Sequence, residues 1–217
     1  MSTILHREYR QSERLADSII HVIGVASGLI GCVVLAVLAL PSTGYRLAVS
    51  IGLYGSGLMS MLSCSALYNM ARDGSFKRVL RRLDHSAIFV MIAGTYTPFA
   101  LHVIGGPWGI GLLAFVWTVA LAGVMMKLCW PHRFERLSVV VYLVLGWSVV
   151  VAIEPLLAGI STAGFVLLIV GGGLYSLGMV FHLWSRLPFQ NAIWHGFVLA
   201  AASCHYAAIL HEVVLSS

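Results

Sequence analysis

Long apolar runs, broken only by short polar patches, occupy the chain from residue 19 to residue 215. Runs of about 18 or more apolar residues are typical of membrane-spanning helices, because a helix satisfies its own backbone polar groups in lipid. Seven such runs lie at about 19–40, 46–70, 84–104, 109–129, 137–154, 163–183 and 193–214. The pattern predicts an all-α polytopic integral membrane protein, with one seven-helix transmembrane domain (19–217) after a short polar cytoplasmic lead (1–18).

The composition supports a membrane protein, and the distribution of charge predicts how the chain is oriented in the membrane. Charged residues make up only 10% of the chain, against about a quarter in a soluble domain. If the amino terminus and the even-numbered connections share one side, that side collects 12 of the 13 lysines and arginines, and the other side has Arg46 alone. Lysine and arginine are retained on the cytoplasmic side, so we predict a cytoplasmic amino terminus and an outside carboxyl terminus. The net charge of +5 then indicates contact with anionic lipid headgroups and no nucleic-acid partner.

Polar side chains gather near the predicted cytoplasmic ends of five spans. Ser65 and Asn69 are four residues apart, as are Asn191 and His195, so each pair shares a helix face. His205 continues the face of Asn191, about 15 Å farther along the axis than His195. Such groups are costly within a membrane and usually functional. We therefore predict a polar pocket near the cytoplasmic face, lined by His21, Ser65, Asn69, Asp84, His85, His182, Asn191, His195 and His205.

Two structural explanations compete with this pocket. A histidine at the end of a span is usually a headgroup-level residue, which is our interpretation of His6, His102, His132 and His211. Asp84 has Arg81 and Arg82 nearby in the sequence, and an ion pair with either would satisfy its carboxylate.

Motifs along nearly the whole chain resemble the haemolysin III proteins, the bacterial branch of the progestin and adipoQ receptor family. The most specific is LDHSAIFVMIAGTYTPF over residues 83–99, which resembles the third-span signature of that family. The others, in order, are the segments 13–21, 65–68, 131–134, 175–178 and 192–198, followed by Cys204 and His205. The resemblance implies seven helices with an inside amino terminus, in the plasma (inner) membrane of a bacterium.

The resemblance also implies a zinc ion near the cytoplasmic face. In family members, a histidine ending span two and two histidines opening span seven hold the metal. An aspartate on span three holds or orients a water, and a serine one turn before the span-two histidine assists. Related enzymes hydrolyse lipid amides, and a zinc ion with three imidazole ligands keeps an open position and lowers the pKa of its bound water.

This sequence departs from that ligand set at two positions, where Asn69 and Asn191 replace histidines. An amide oxygen is a poor zinc ligand compared with imidazole. The remaining candidates are His195 and Asp84 for metal ligation, and Asp84 and Ser65 for catalysis. Zinc binding is thus doubtful from the sequence, which favours a metal-poor or metal-free member.

Three functions stay open at this point. The first is membrane lipid homeostasis or lipid sensing, with membrane lipids as partners and a lipid ligand held in the bundle. The second is a zinc-dependent hydrolase of lipid amides or esters, in which Asp84 handles the proton and His195 holds the metal with another partner. The third is a proton-coupled transporter or channel along Asp84, His195 and His205, although the chain lacks the paired repeats of many transporters. No oligomeric state follows from the sequence.

Overall fold

The computed structural model describes residues 10–40, 44–130 and 134–216. Seven helices in these ranges are long and apolar enough to cross a membrane, which confirms the predicted fold class. They are α1 (Gln11–Ala39), α2 (Tyr45–Met70), α3 (Ser75–Ile104), α4 (Gly106–Cys129), α5 (Glu135–Gly159), α6 (Thr162–Leu183) and α7 (Gln190–Val214). We call the inner end of the bundle the end at which α1, α3 and α7 begin and α2 and α6 finish.

Three of the helices contain turns that are not α-helical. In α3, a π-helical segment (Phe99–Ile104) begins directly after Pro98, which lacks the backbone N–H that regular winding requires. A 3₁₀ segment (Ser148–Ala152) interrupts α5 ahead of its last α-helical turns, Ile153–Gly159. The last turn of α7 (Leu210–Val214) is also π-helical. All three irregular segments lie away from the inner end.

The helix α3 is the most buried of the seven. Phe89 and Ala93 on this helix are fully buried among side chains of its neighbours. Gly57 of α2 and Gly94 of α3 allow the two backbones to approach closely, since a Cβ on Gly94 would lie 2.9 Å from the carbonyl oxygen of Leu53. Because α3 is central, Asp84 in its first turns faces the interior of the bundle.

The helix α1 begins two turns earlier than the apolar run indicates. Residues 11–18, which the sequence assigns to the polar lead, continue the first span as helix. Glu13 and Asp17 in this stretch are buried, whereas Leu15 and Ile19 are exposed. The polar face of α1 therefore packs into the bundle while its apolar face is directed outward.

Some features of the sequence lie outside the described residues. These are residues 1–9, with His6 and Arg7, residues 131–133, with His132 and Arg133, and residues 41–43. Arg10 directly precedes α1, and the other inner basic residues lie on the helices named above or in the connections between them.

The orientation predicts the outcome of fusions to reporter proteins. Alkaline phosphatase fused after Ser217 should be active, because the predicted outside terminus lies where its disulfides form. The same enzyme fused after Leu187, in the connection between α6 and α7, should be inactive. Green fluorescent protein should show the opposite pattern, and a fluorescent fusion at Ser217 would contradict the orientation.

Candidate functional site

A large cavity of about 1750 Å³ opens at the inner end of the bundle. Its lining contains all of the side chains that the sequence predicts for a polar pocket: His21, Ser65, Asn69, Asp84, His85, His182, Asn191, His195 and His205. The predicted residues therefore do meet in space. Their roles in binding or catalysis stay predictions.

At the centre of the polar part of this cavity, His195 lies between Asp17 and Ser65. The Nδ1 atom of His195 is 2.6 Å from Oδ1 of Asp17, and Nε2 is 3.4 Å from Oγ of Ser65. A carboxylate can only accept, so Nδ1–H donates to Asp17 and Nε2 is left to accept from the serine hydroxyl. This bond fixes both the tautomer and the orientation of the imidazole.

His21 lies directly beside this pair. It is one helical turn after Asp17 on α1, and the centroid of its ring is 4.3 Å from that of His195. Its Nε2 atom is 3.5 Å from Oδ2 of Asp17 and has no hydrogen-bond partner among the described residues. Two imidazoles thus flank one carboxylate.

The two asparagines at the positions where the resemblance implies histidines, Asn69 and Asn191, line the same cavity. The side-chain amide of Asn69 donates to the backbone carbonyl oxygen of Ser65 at 2.9 Å, so it is hydrogen-bonded along its own helix. Asp84 of α3 lines the same cavity as Ser65 and His195, so α2, α3 and α7 all contribute polar side chains to it. A three-imidazole zinc site at positions 69, 191 and 195 does not fit these residues.

The other three predicted histidines have contacts of their own, separate from the hydrogen bonds of His195. The ring of His182 packs against Trp194 with centroids 5.0 Å apart. The backbone carbonyl of His85 accepts a hydrogen bond from the Tyr142 hydroxyl at 2.8 Å. His205 lies deeper, with Nε2 3.4 Å from the Leu168 carbonyl oxygen. None of these contacts joins the His195 group, in agreement with the predicted greater depth of His205.

Two side chains that the sequence suggested were only interfacial have specific partners at the outer end. His102 hydrogen-bonds to Ser50 across 3.1 Å, and His211 pairs with Glu212 at 2.7 Å.

At the inner end, Arg81 forms an ion pair with Glu135, a carboxylate on α5 that the sequence did not connect with it.

Asp17 and Glu13 are the important residues that sequence reasoning missed. Oε1 of Glu13 accepts from the backbone N–H of Phe189 at 2.8 Å, just before α7 begins. Residues 13, 17 and 21 are spaced four apart and so share one helix face, which is the signal that revealed the pairs on spans two and seven. A span assumed to begin at residue 19 separates Asp17 from His21 and hides that pattern.

The available donors fit a metal in a different combination from the expected one. Asp17, His21 and His195 each offer a ligand atom, and the three atoms lie within 4.8 Å of one another. Two imidazoles and one carboxylate form a donor set that zinc accepts. Without a metal, Asp17 and His195 form a hydrogen-bonded line with Ser65, which is an arrangement that can take up the proton of a hydroxyl.

The hydrogen bond between Asp17 and His195 should make a measurable contribution to stability. In a double-mutant cycle with Asp17→Asn and His195→Gln, we expect a coupling of about 1.5–3 kcal/mol, since the bond involves a charged group and is shielded from solvent. Unfolding of the purified protein in mixed detergent micelles, with a chelator present, would measure it. The exposed pair Asp73–Lys77, with 3.1 Å between its charged atoms, is the matched control and should couple far more weakly. Equal couplings for the two pairs would contradict the prediction.

Comparisons with known proteins agree with this fold. The chain matches the family described as Haemolysin-III related over residues 9–206. It is 40% identical to "Hemolysin-3 homolog" of Bacillus subtilis, over 93% of this chain and 95% of the relative. It is 37% identical to "Hemolysin-3" of Bacillus cereus, over 93% and 92%. The human "Monocyte to macrophage differentiation factor" is 29% identical over 74% of this chain and 69% of its own length. No solved structure matches the chain significantly. The chain therefore belongs to the haemolysin III family of integral membrane proteins.

Proposed function

We propose that this protein binds a membrane lipid in its inner cavity and acts in membrane lipid homeostasis or lipid sensing, in the plasma membrane of a bacterium. In this proposal the zinc site of the family, with its three imidazoles, is degraded at Asn69 and Asn191. The two Bacillus relatives support the bacterial location. The cavity is the observation that carries the proposal.

The walls of the cavity change in character with depth. At the inner end they carry Asp84, His195 and the other polar groups, and farther in they carry apolar side chains such as Ile88, Ile92 and Leu199. Pockets for small ligands are typically about 300–1,000 Å³, so a cavity of about 1750 Å³ has room for a long chain. A polar mouth above an apolar interior is complementary to a lipid headgroup and its acyl chain.

The lining also extends to both surfaces from which a lipid could come. On the membrane side, it includes Gly146 and Trp147 of α5, which are exposed. On the inner side, it includes Arg72 and Arg78, which are exposed. Basic side chains at a cytoplasmic surface attract anionic headgroups, so the mouth favours a lipid with an acidic head.

Binding can be measured by titrating the purified protein in dodecyl maltoside with a fluorescent sixteen-carbon fatty acid. We expect saturable binding that a bacterial lipid extract competes away. Leu143→Trp should weaken binding about tenfold or more, equivalent to about 1.4 kcal/mol, because the larger side chain occupies the cavity that Leu143 lines.

The adjacent residue supplies the control. Val144 is 62% exposed on the outer surface of α5, so Val144→Trp adds the same bulk outside the cavity and should leave binding unchanged. The proposal fails if the fatty acid does not bind saturably, or if the two tryptophan variants bind it equally well.

A second candidate function is hydrolysis of a lipid amide or ester. The observation in its favour is the line from Asp17 through His195 to Ser65, with Asp84 beside the serine. In such a reaction His195 would take up a proton from the attacking hydroxyl or water, and Asp17 would orient the imidazole and stabilise its charged form. A zinc ion, if bound here, would supply an acidic water.

Incubation of the purified protein with a ceramide, followed by mass spectrometry of released fatty acid, would test hydrolysis. Release should fall about a hundredfold in Ser65→Ala if the hydroxyl takes part in proton transfer. His102→Ala, at the outer end, should keep the activity. Release no faster than with heat-denatured protein would exclude this function for ceramides while leaving lipid binding to its own test.

A further inference from the structure

Three side chains at the inner end form a compact group on two helices. Asp17 and His21 lie one turn apart on α1, and His195 lies on α7. Asp17 and His21 are 7% and 6% exposed, so both are withdrawn from solvent. Their potential ligand atoms, one from each residue, lie within 4.8 Å of one another.

One ring nitrogen of His21, Nε2, is buried without a hydrogen bond to any of the described residues. This atom is 3.5 Å from Oδ2 of Asp17. Buried polar atoms are nearly always satisfied, because a buried group that loses its hydrogen bond to water without a replacement is destabilising. A cation between the imidazole and the carboxylate would satisfy both atoms.

The chemistry of the group selects a particular kind of cation. Two neutral imidazoles are borderline nitrogen donors and one carboxylate is a hard oxygen donor, a combination that zinc accepts, and the carboxylate offsets part of the charge of the ion in an apolar bundle. Catalytic zinc sites with two histidines and one carboxylate keep a fourth position open. Here Ser65 and Asp84 lie in the cavity on the side of His195, where a water or a lipid headgroup could approach.

This donor set differs from the one that the family resemblance implies. Asn69 and Asn191 occupy the positions of two of the three expected imidazoles, and the amide of Asn69 is hydrogen-bonded to its own helix. His195 is common to both sets. The other two ligands now come from α1, which contributes none to the family's three-imidazole set.

We propose that Asp17, His21 and His195 form a site for a single zinc-type divalent cation, with two ligands from the first helix and one from the last. With such a site the protein would bind a metal even though the asparagines at positions 69 and 191 remove two of the expected ligands. It requires neither a bound lipid nor hydrolysis, so its test is independent of both proposed functions.

Metal binding can be measured directly on the full-length protein in detergent. The protein is stripped with a chelator, dialysed against zinc chloride and analysed by mass spectrometry for metal content. We expect about one zinc per chain for the wild type. His21→Gln and Asp17→Asn, which keep the size of the side chains, should each reduce affinity at least tenfold. His85→Gln lines the same cavity outside the group and should bind as the wild type does.

Two further measurements keep the test decisive if a variant folds poorly. X-ray absorption at the zinc edge of the wild type should show two imidazoles and oxygen ligands. Zinc should raise the unfolding temperature of the wild type more than that of His21→Gln. The proposal is overturned if the wild type binds no zinc, or if both α1 variants bind it as the wild type does. It is also overturned if Asn69→Ala and Asn191→Ala abolish binding while the α1 variants retain it.

Discussion

Carboxylates buried inside an apolar bundle require donors, and this requirement determines how the first and last helices meet. Glu13 accepts from the backbone of Phe189, and Asp17 accepts from the ring of His195. Both acidic residues lie on α1 and both donors lie at or just before α7. Because an unpaired buried charge is strongly unfavourable, these two bonds hold α1 and α7 in register at the inner end.

The seven spans could be predicted from the sequence because the length of an apolar run is a local property. The nine side chains that line the cavity could be predicted too, since eight are polar residues near the inner ends of spans and His205 continues the helix face of Asn191. Asp17 was missed because the apolar run alone placed it in the polar lead, although its spacing of four from His21 was visible in the sequence. Its contact with His195 joins residues 178 positions apart and could not be predicted from a local pattern. The ion pair of Arg81 with Glu135 is likewise a contact between distant segments.

The asparagines at positions 69 and 191 change the metal ligands available in the pocket but keep the pocket polar. Asparagine at position 69 completes a hydrogen bond within its own helix, so the change removes an imidazole without leaving an unsatisfied polar group. His195 then has Asp17 and His21 as its nearest titratable neighbours. The polar character of the inner end is thus preserved although the ligand pattern of the family is not. The apolar part of the cavity lies deeper in the bundle and does not include positions 69 and 191.

The distance in sequence between Asp17 and His195 has a consequence for biosynthesis. During translation α1 leaves the ribosome first and α7 last, so the acidic face of α1 has no partner on α7 until the final helix has been inserted. A nascent chain interrupted before α7 would lack the donor that His195 supplies to Asp17 and the donor that Phe189 supplies to Glu13. Completion of the bundle therefore adds the last donors to its earliest segment, and truncated products differ from the finished protein in a way that membrane proteases could detect.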